Sequence, residues 1–229
     1  MMWRIFTILS ACGLLVACNP IPKTDQFSYR MTLEIDTPSG IRSSSAVRRV
    51  KKTEPYFDGF FGPTAPRWTA EGEAVAIDLP NGRPLFAVLA GAPYNSSQPH
   101  QTMARLFDSR NAMLGQEIDL WTSQGGDALL NNREVLRPML VVLVEPSDPA
   151  SVVEIDPSGE SDKLGHGVSI QKISVALTGE APGFTLVERY PWISSYSNKW
   201  LNGSERKSID LLAGTGARLR AGHFSYGGD

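Results

Sequence analysis

Cysteine is the first scarcity. The chain of 229 residues holds two, Cys12 and Cys18, both within its first eighteen positions. Everything after Cys18 is free of thiols, which excludes a disulfide framework, a thiolate zinc site, a cysteine nucleophile and a redox pair from the body of the protein. Histidine is nearly as rare. His100, His166 and His223 lie far apart with neither H-x-x-x-H nor H-E-x-x-H spacing, so no histidine metal site is expected. His166, between Gly165 and Gly167, reads as a turn residue. An excess of positive charge is also missing: the formal net charge is −2, which leaves no electrostatic case for nucleic acid.

Catalytic signatures are absent in the same way. There is no G-x-S-x-G elbow and no G-x-x-x-x-G-K-[ST] loop. Gly214-Thr215-Gly216 is a lone G-x-G and reads as a turn. No cofactor is expected. Long apolar runs are lacking too, since about 20 residues are needed to cross a bilayer and Met139 to Val144 stops at Glu145-Pro146. What is present is a balanced globular composition, 41% apolar and 20% charged, with 21 Gly and 16 Pro to supply turns.

The N-terminal segment carries the clearest signal. Met1-Met2-Trp3-Arg4 places one positive charge before Ile5 to Ala17, which contains no charged residue. A basic start and roughly a dozen apolar residues describe a secretory signal, too short to span. It closes on Leu15-Val16-Ala17-Cys18, which looks like a bacterial lipobox: a branched apolar residue, a tolerant position, a small residue, then the thiol that takes up a diacylglyceryl group. Leu9-Ser10-Ala11-Cys12 matches in letters but would leave an apolar core of only Ile5 to Leu9. Cys18 is therefore the expected lipidation site. Cleavage before it leaves 212 residues, and losing Arg4 moves the net charge from −2 to −3. Asn19, where an aspartate would retain a lipoprotein in the inner membrane of enteric bacteria, favours the outer membrane.

Residues 18–26 have the polar, proline-containing profile of a tether. Residues 27–229 read as a single domain. Phe27, Tyr29, Met31, Leu33 and Ile35 alternate with polar residues, the period of a half-buried strand, and Thr37-Pro38-Ser39-Gly40 turns it into a partner over Ile41 to Lys52. Glu73 to Leu79 and Arg83 to Ala90 form a second hairpin around Asn81-Gly82. Leu85 to Ala90, apolar on both faces, should be central. Ser97 to Leu114 predicts a helix with Met103, Leu106, Phe107 and Leu114 on one face, and Asp127 to Asn132 a short second one. Val135 to Val144 should pair with Ser151 to Ile155. Val168 and Ile170 are out of phase with Ile173, Val175 and Leu177, which predicts a β-bulge at Gln171-Lys172. Pro191 to Leu201 reads as helical, with Trp192, Tyr196 and Trp200 as a packing stripe, and Ala217 to Tyr226 as a last strand. The expected class is α+β: an antiparallel-rich, sandwich-like sheet domain with one or two packed helices.

Three further features invite a functional reading. Tyr56, Phe57, Phe60, Phe61 and Trp68 crowd a Gly- and Pro-containing segment, where they either bind a glycan, peptide or lipid or plug one end of the sandwich. Arg48-Arg49-Val50-Lys51-Lys52 is the only basic run, expected to guard an exposed edge, the alternative being a contact with anionic lipid or polysaccharide. The acidic stretch Glu154, Asp156, Glu160 and Asp162 lacks calcium-loop spacing and reads as a solvated loop, so no metal is expected.

The segments Thr37-Pro38-Ser39-Gly40, Gly72-Glu73-Ala74-Val75, Leu136-Arg137-Pro138-Met139-Leu140-Val141, Asp148-Pro149-Ala150-Ser151-Val152, Glu154-Ile155-Asp156-Pro157, Gly165-His166-Gly167-Val168, Pro191-Trp192-Ile193 and Asn202-Gly203 together resemble a group of uncharacterised proteins from alphaproteobacteria and their relatives. That resemblance covers Tyr29 to about Gly203. It implies a bacterial source and one continuous domain, and no activity or site residues. The sequence thus favours a membrane-anchored envelope lipoprotein, a non-enzymatic binding or assembly component. Its partners would be the bilayer, through acylated Cys18, and an envelope protein or glycan. The alternative is a lipoprotein hydrolase with a carboxylate pair drawn from Asp108, Glu117, Asp119 and Asp127.

Overall fold

A computed structural model describes residues 26–53, 57–58, 62–63, 67–91, 99–123, 138–157, 161–196, 201 and 224–226. Cys18, Tyr56, Phe60 and Phe61, the expected helix over Asp127 to Asn132, and Trp200 lie outside them.

The period-two alternation at the start of the domain does what it predicts. Strand β1 (Gln26–Thr37) buries Tyr29, Met31, Leu33 and Ile35 on one face, and β2 (Gly40–Thr53) returns beside it. The next strands are the short pair β3 (Phe57–Asp58) and β4 (Gly62–Pro63), then β5 (Arg67–Glu73), β6 (Val75–Asp78) and β7 (Pro84–Gly91). Helix α1 (Pro99–Ser109) precedes β8 (Glu117–Thr122), β9 (Pro138–Leu143) and β10 (Val152–Ile155). One-turn helix α2 (Ser161–Leu164), β11 (Ser169–Thr178), the one-turn helices α3 (Leu186–Arg189) and α4 (Trp192–Ser195), and β12 (Ser225–Tyr226) complete the order.

Two antiparallel sheets result. One runs β12-β5-β2-β1-β11-β8, the other β10-β9-β7-β6. Their facing side chains make one core, in which Tyr29 to Ile35 of β1 and Ile173 and Val175 of β11 meet Val75, Leu85, Leu140 and Val142. Met103, Leu106 and Phe107 of α1 close one end of it, Phe107 standing edge-on to Phe27 at 5.7 Å. The four-stranded sheet is buried on its other face as well. There Phe86, Val88, Met139, Val141 and Leu143 pack under Leu186, Tyr190, Trp192, Ile193, Leu201 and Phe224. A strand covered on both sides needs apolar residues at successive positions, which is why β7 and β9 read as unbroken apolar runs.

The fold class is the expected α+β, sheet-rich domain. The second hairpin turns at Asn81-Gly82 as predicted, with φ +79° at Gly82, and β7 is central. Gln171 is left unpaired where β1 crosses from Lys172 to Ile170, the predicted bulge.

Several expectations are corrected. Helix α1 stops at Ser109, and Leu114 is 75% exposed because Asn111 and Gly115, both at positive φ, carry the chain into a turn. The strand expected from Glu73 is divided: Gly72 and Glu73 end β5 in one sheet, Ala74 crosses, and Val75 begins β6 in the other. The helical stretch from Pro191 is a single turn ending at Ser195, and the last strand is Ser225–Tyr226 within the described residues. The basic run lies on no edge, since Arg48 to Lys51 pair with β1 on one side and Arg48 to Lys52 with β5 on the other.

Candidate functional site

The most unusual group in the molecule is a buried cation. Arg48 shares the inward phase of β2 with Ala46 and Val50 and is 2% exposed. Its guanidinium crosses the core, donating through Nη2 to the Ala87 carbonyl of β7 at 2.7 Å and through Nε to the Glu73 carbonyl at 3.2 Å. The β7–β9 register breaks just after Ala87, so Arg48 serves that carbonyl where the ladder is interrupted. Space for this arrangement comes from Gly72, the cross-strand partner of Arg48. A Cβ there would lie 2.6 Å from the Val47 carbonyl oxygen and 3.5 Å from Cγ of Arg48, and its φ is +124°.

Glu73 continues the same junction on the other face. Its carboxylate is buried and accepts from the Leu186 backbone N–H at 2.8 Å and the Thr185 hydroxyl at 3.0 Å. Thr185 itself supplies no side-chain cap to α3, so Glu73 provides one from outside the helix. Ala74 N–H donates to the Phe224 carbonyl at 2.7 Å, tying the sheet crossing to the C-terminal segment.

Above this junction opens a cleft of about 470 Å³ lined by Ser44, Ser45, Glu73, Thr185, Glu188 and Arg189 among others. Arg189 is ion-paired with Asp78 and lies over the Tyr190 ring at 5.2 Å. The hydrogen bond it donates to Asp78 holds the guanidinium above its ordinary pKa, while burial pushes the Tyr190 hydroxyl up. Of the three charged residues lining the cleft, Glu73, Glu188 and Arg189, the first and the last already have partners within the fold.

The sequence-predicted residues are distributed differently. Trp68, half-buried on β5, packs against the main core with Nζ of Lys52 6.0 Å from its ring centroid. Phe57 lies on β3. Asp108 is exposed near the end of α1. Glu117 and Asp119 share the outer face of edge strand β8, where Lys172 bridges them at 3.3 and 2.9 Å. Ser174 donates to Glu117 and, with Lys172, holds its carboxyl below the ordinary value of 4.5 against the opposing effect of burial. Asp119 in turn raises Lys172, chiefly through their hydrogen bond. A carboxylate held ionised in this way is a poor proton donor at neutral pH.

The sign of the linkage is fixed by these directions. The contribution of Glu117 is complete above pH 4.5 and is lost as the pH falls through its lowered folded value. That of Lys172 is complete below pH 10.5 and is lost as the pH rises through its raised value. Lys172→Met is expected to cost only a few tenths of a kcal/mol near pH 7, because solvent screens half-exposed pairs. NMR titration should show the Glu117 carboxyl moving up toward its ordinary value in that variant; an unmoved titration would contradict the ion-pair assignment.

His166 is exposed on a turn whose flanking glycines meet two hairpins. A Cβ at Gly167 would stand 3.0 Å from Pro38, and one at Gly165 3.1 Å from Nδ2 of Asn81. Asn81 also donates to the Leu164 carbonyl at 3.3 Å. Among the described residues no three metal-ligating side chains converge.

Sequence reasoning missed Arg48 and Glu73, which it placed on an exposed edge and within an ordinary strand. The available signal was the phase of Arg48, two residues from Ala46 and from Val50. Compared with protein-family models, with curated proteins and with solved structures, the chain matches none.

Proposed function

We propose that this chain is a bacterial envelope lipoprotein, anchored to its membrane through acylated Cys18 and acting as a binding or assembly component. The observation that carries the reading is Leu15-Val16-Ala17-Cys18 at the end of the charge-free segment Ile5 to Ala17. Each buried CH₂ of an acyl chain contributes about 0.8 kcal/mol, so two or three chains make a lasting anchor. The ion pairing of Glu117 and Asp119 with Lys172 supports a non-enzymatic role for that carboxylate pair. Asn19 favours the outer membrane, and Tyr56, Phe57, Phe60 and Phe61 of the aromatic segment suit an envelope protein or glycan as partner, Trp68 being engaged by the core.

Mass spectrometry of the mature N-terminal peptide from the native host tests the anchor. The expected peptide begins at an acylated Cys18 and comes from the membrane fraction, and Cys18→Ala is expected to abolish both acylation and membrane retention. An intact Met1, or cleavage at another bond, would overturn the proposal.

A further inference from the structure

Three large apolar side chains stand out in solvent among the described residues: Ile41 at 70%, Met113 at 70% and Leu114 at 75%. They occupy opposite ends of the domain. Ile41 follows the β1–β2 turn, paired with Asp36 near the end of β1. Leu114 forms a bridge with Leu177, and Gly115 N–H donates to the Leu177 carbonyl at 2.8 Å. Leu177 and Thr178 pair with Tyr29 and Ser28, at the beginning of β1. Leu114 and Gln26 accordingly line one groove of about 370 Å³, together with Phe27, Arg49 and Leu177.

The turn that displays these side chains is built rather than loose. Gln116 N–H donates to the Met113 carbonyl at 3.0 Å, and the Gln116 side chain accepts from the Met113 N–H at 3.2 Å. Gly115 takes the positive φ of +78° that the turn requires. Two apolar side chains are thus held outward at the end of the domain where the chain enters from Cys18.

Charge and reach point the same way. Arg49 and Lys51 share the single carboxylate of Glu71, leaving that trio with one net positive charge. The eight residues from Cys18 to Gln26 span at most roughly 28 Å. Strand β1 is roughly 37 Å long. An upright domain with Ile41 against the bilayer would hold Gln26 farther from the membrane than that tether reaches.

We propose that Met113 and Leu114 form a bilayer-facing surface, inserting beside Gln26 into the acyl–headgroup boundary with Arg49 near anionic phosphates. This inference rests on the lipid-anchored reading and adds the orientation of the domain. The test uses the acylated chain in vesicles of phosphatidylethanolamine and phosphatidylglycerol, with a nitroxide on Leu114→Cys and, separately, on Ile41→Cys. Acylation blocks Cys18, so each variant carries one free thiol. Collisions with a water-soluble nickel chelate are expected to be roughly fivefold fewer at 114 than at 41. Equal collision rates on protein whose Cys18 acylation is confirmed by mass would overturn the surface while leaving the anchor intact. Spin–spin broadening at 114 would show that a second copy covers the patch and would overturn it too. An unmodified Cys18 would remove the tether and both readings together. Met113→Cys, labelled in parallel, gives the same reading should the Leu114 variant fold poorly.

Discussion

Gly72→Ala is expected to lower stability by about 4 kcal/mol, and the melting temperature by about 10 °C for a domain of this size. Two independent causes add. The backbone at Gly72 has φ +124°, a conformation that side chains bearing a Cβ rarely adopt, and the new Cβ would meet the Val47 carbonyl oxygen at 2.6 Å. That oxygen belongs to the backbone of β2, held between β1 and β5, so it cannot turn away as a side chain would. Gly40→Ala separates the two causes. Gly40 also has positive φ, +106°, but a Cβ there would meet nothing within 4 Å. It should cost only backbone strain, about 1–2 kcal/mol. Equal losses in the two variants, measured by denaturant unfolding, would show that close packing at Gly72 contributes nothing.

Arg48→Ala is expected to cost about 3–5 kcal/mol. The substitution empties the space of a long side chain within the core and leaves the Ala87 and Glu73 carbonyls without their charged donor. Arg48→Met keeps most of the stem and deletes the buried charge together with its desolvation penalty. It should recover at least half of the loss, since apolar replacements of buried ions are often tolerated. A loss under about 1 kcal/mol in Arg48→Ala would contradict the view that the guanidinium fastens the sheets to each other. Because a Cβ at residue 72 would also crowd Arg48, Gly72→Ala and Arg48→Ala should be non-additive in a double-mutant cycle.

These two residues also mark where the sequence stops being readable. Strand β1 was legible because five apolar residues keep one phase, and the bulge at Gln171 because the phase slips there. Asn81-Gly82 announced its hairpin through turn chemistry. Each of those signals is local. Arg48 was hidden by the general rule that charge faces water, and only its phase argued otherwise. The sheet crossing at Ala74 is marked only by a one-residue shift of the buried phase, from Ala70 and Ala74 to Val75 and Ile77, too short a signal to separate two strands. Leu114 continues the helical period of α1 perfectly well; the positive φ at Asn111 and Gly115 that ends the pattern belongs to the turn. Of the candidate site, lipidation at Cys18 was a motif reading and lies outside the described residues. The Arg48–Glu73 junction needed Gly72, Ala87 and Leu186 to be brought together across the chain.

That long-range assembly also sets a timetable. Strand β1 lies between β2, its immediate successor, and β11, and the ion pair of Arg30 with Glu180 joins positions 150 residues apart. The β1–β2 pairing is local in sequence whereas β11 lies far along the chain, so one edge of β1 stays open until β11 docks. Pairings this distant fold slowly, and an open strand edge invites association with other chains. The final closure waits longer still, for Phe224 to accept from Ala74 and for Ser225 to pair with Glu73. Until β11 and the segment of Phe224 and Ser225 have docked, the chain presents a strand edge with which a neighbouring chain can pair.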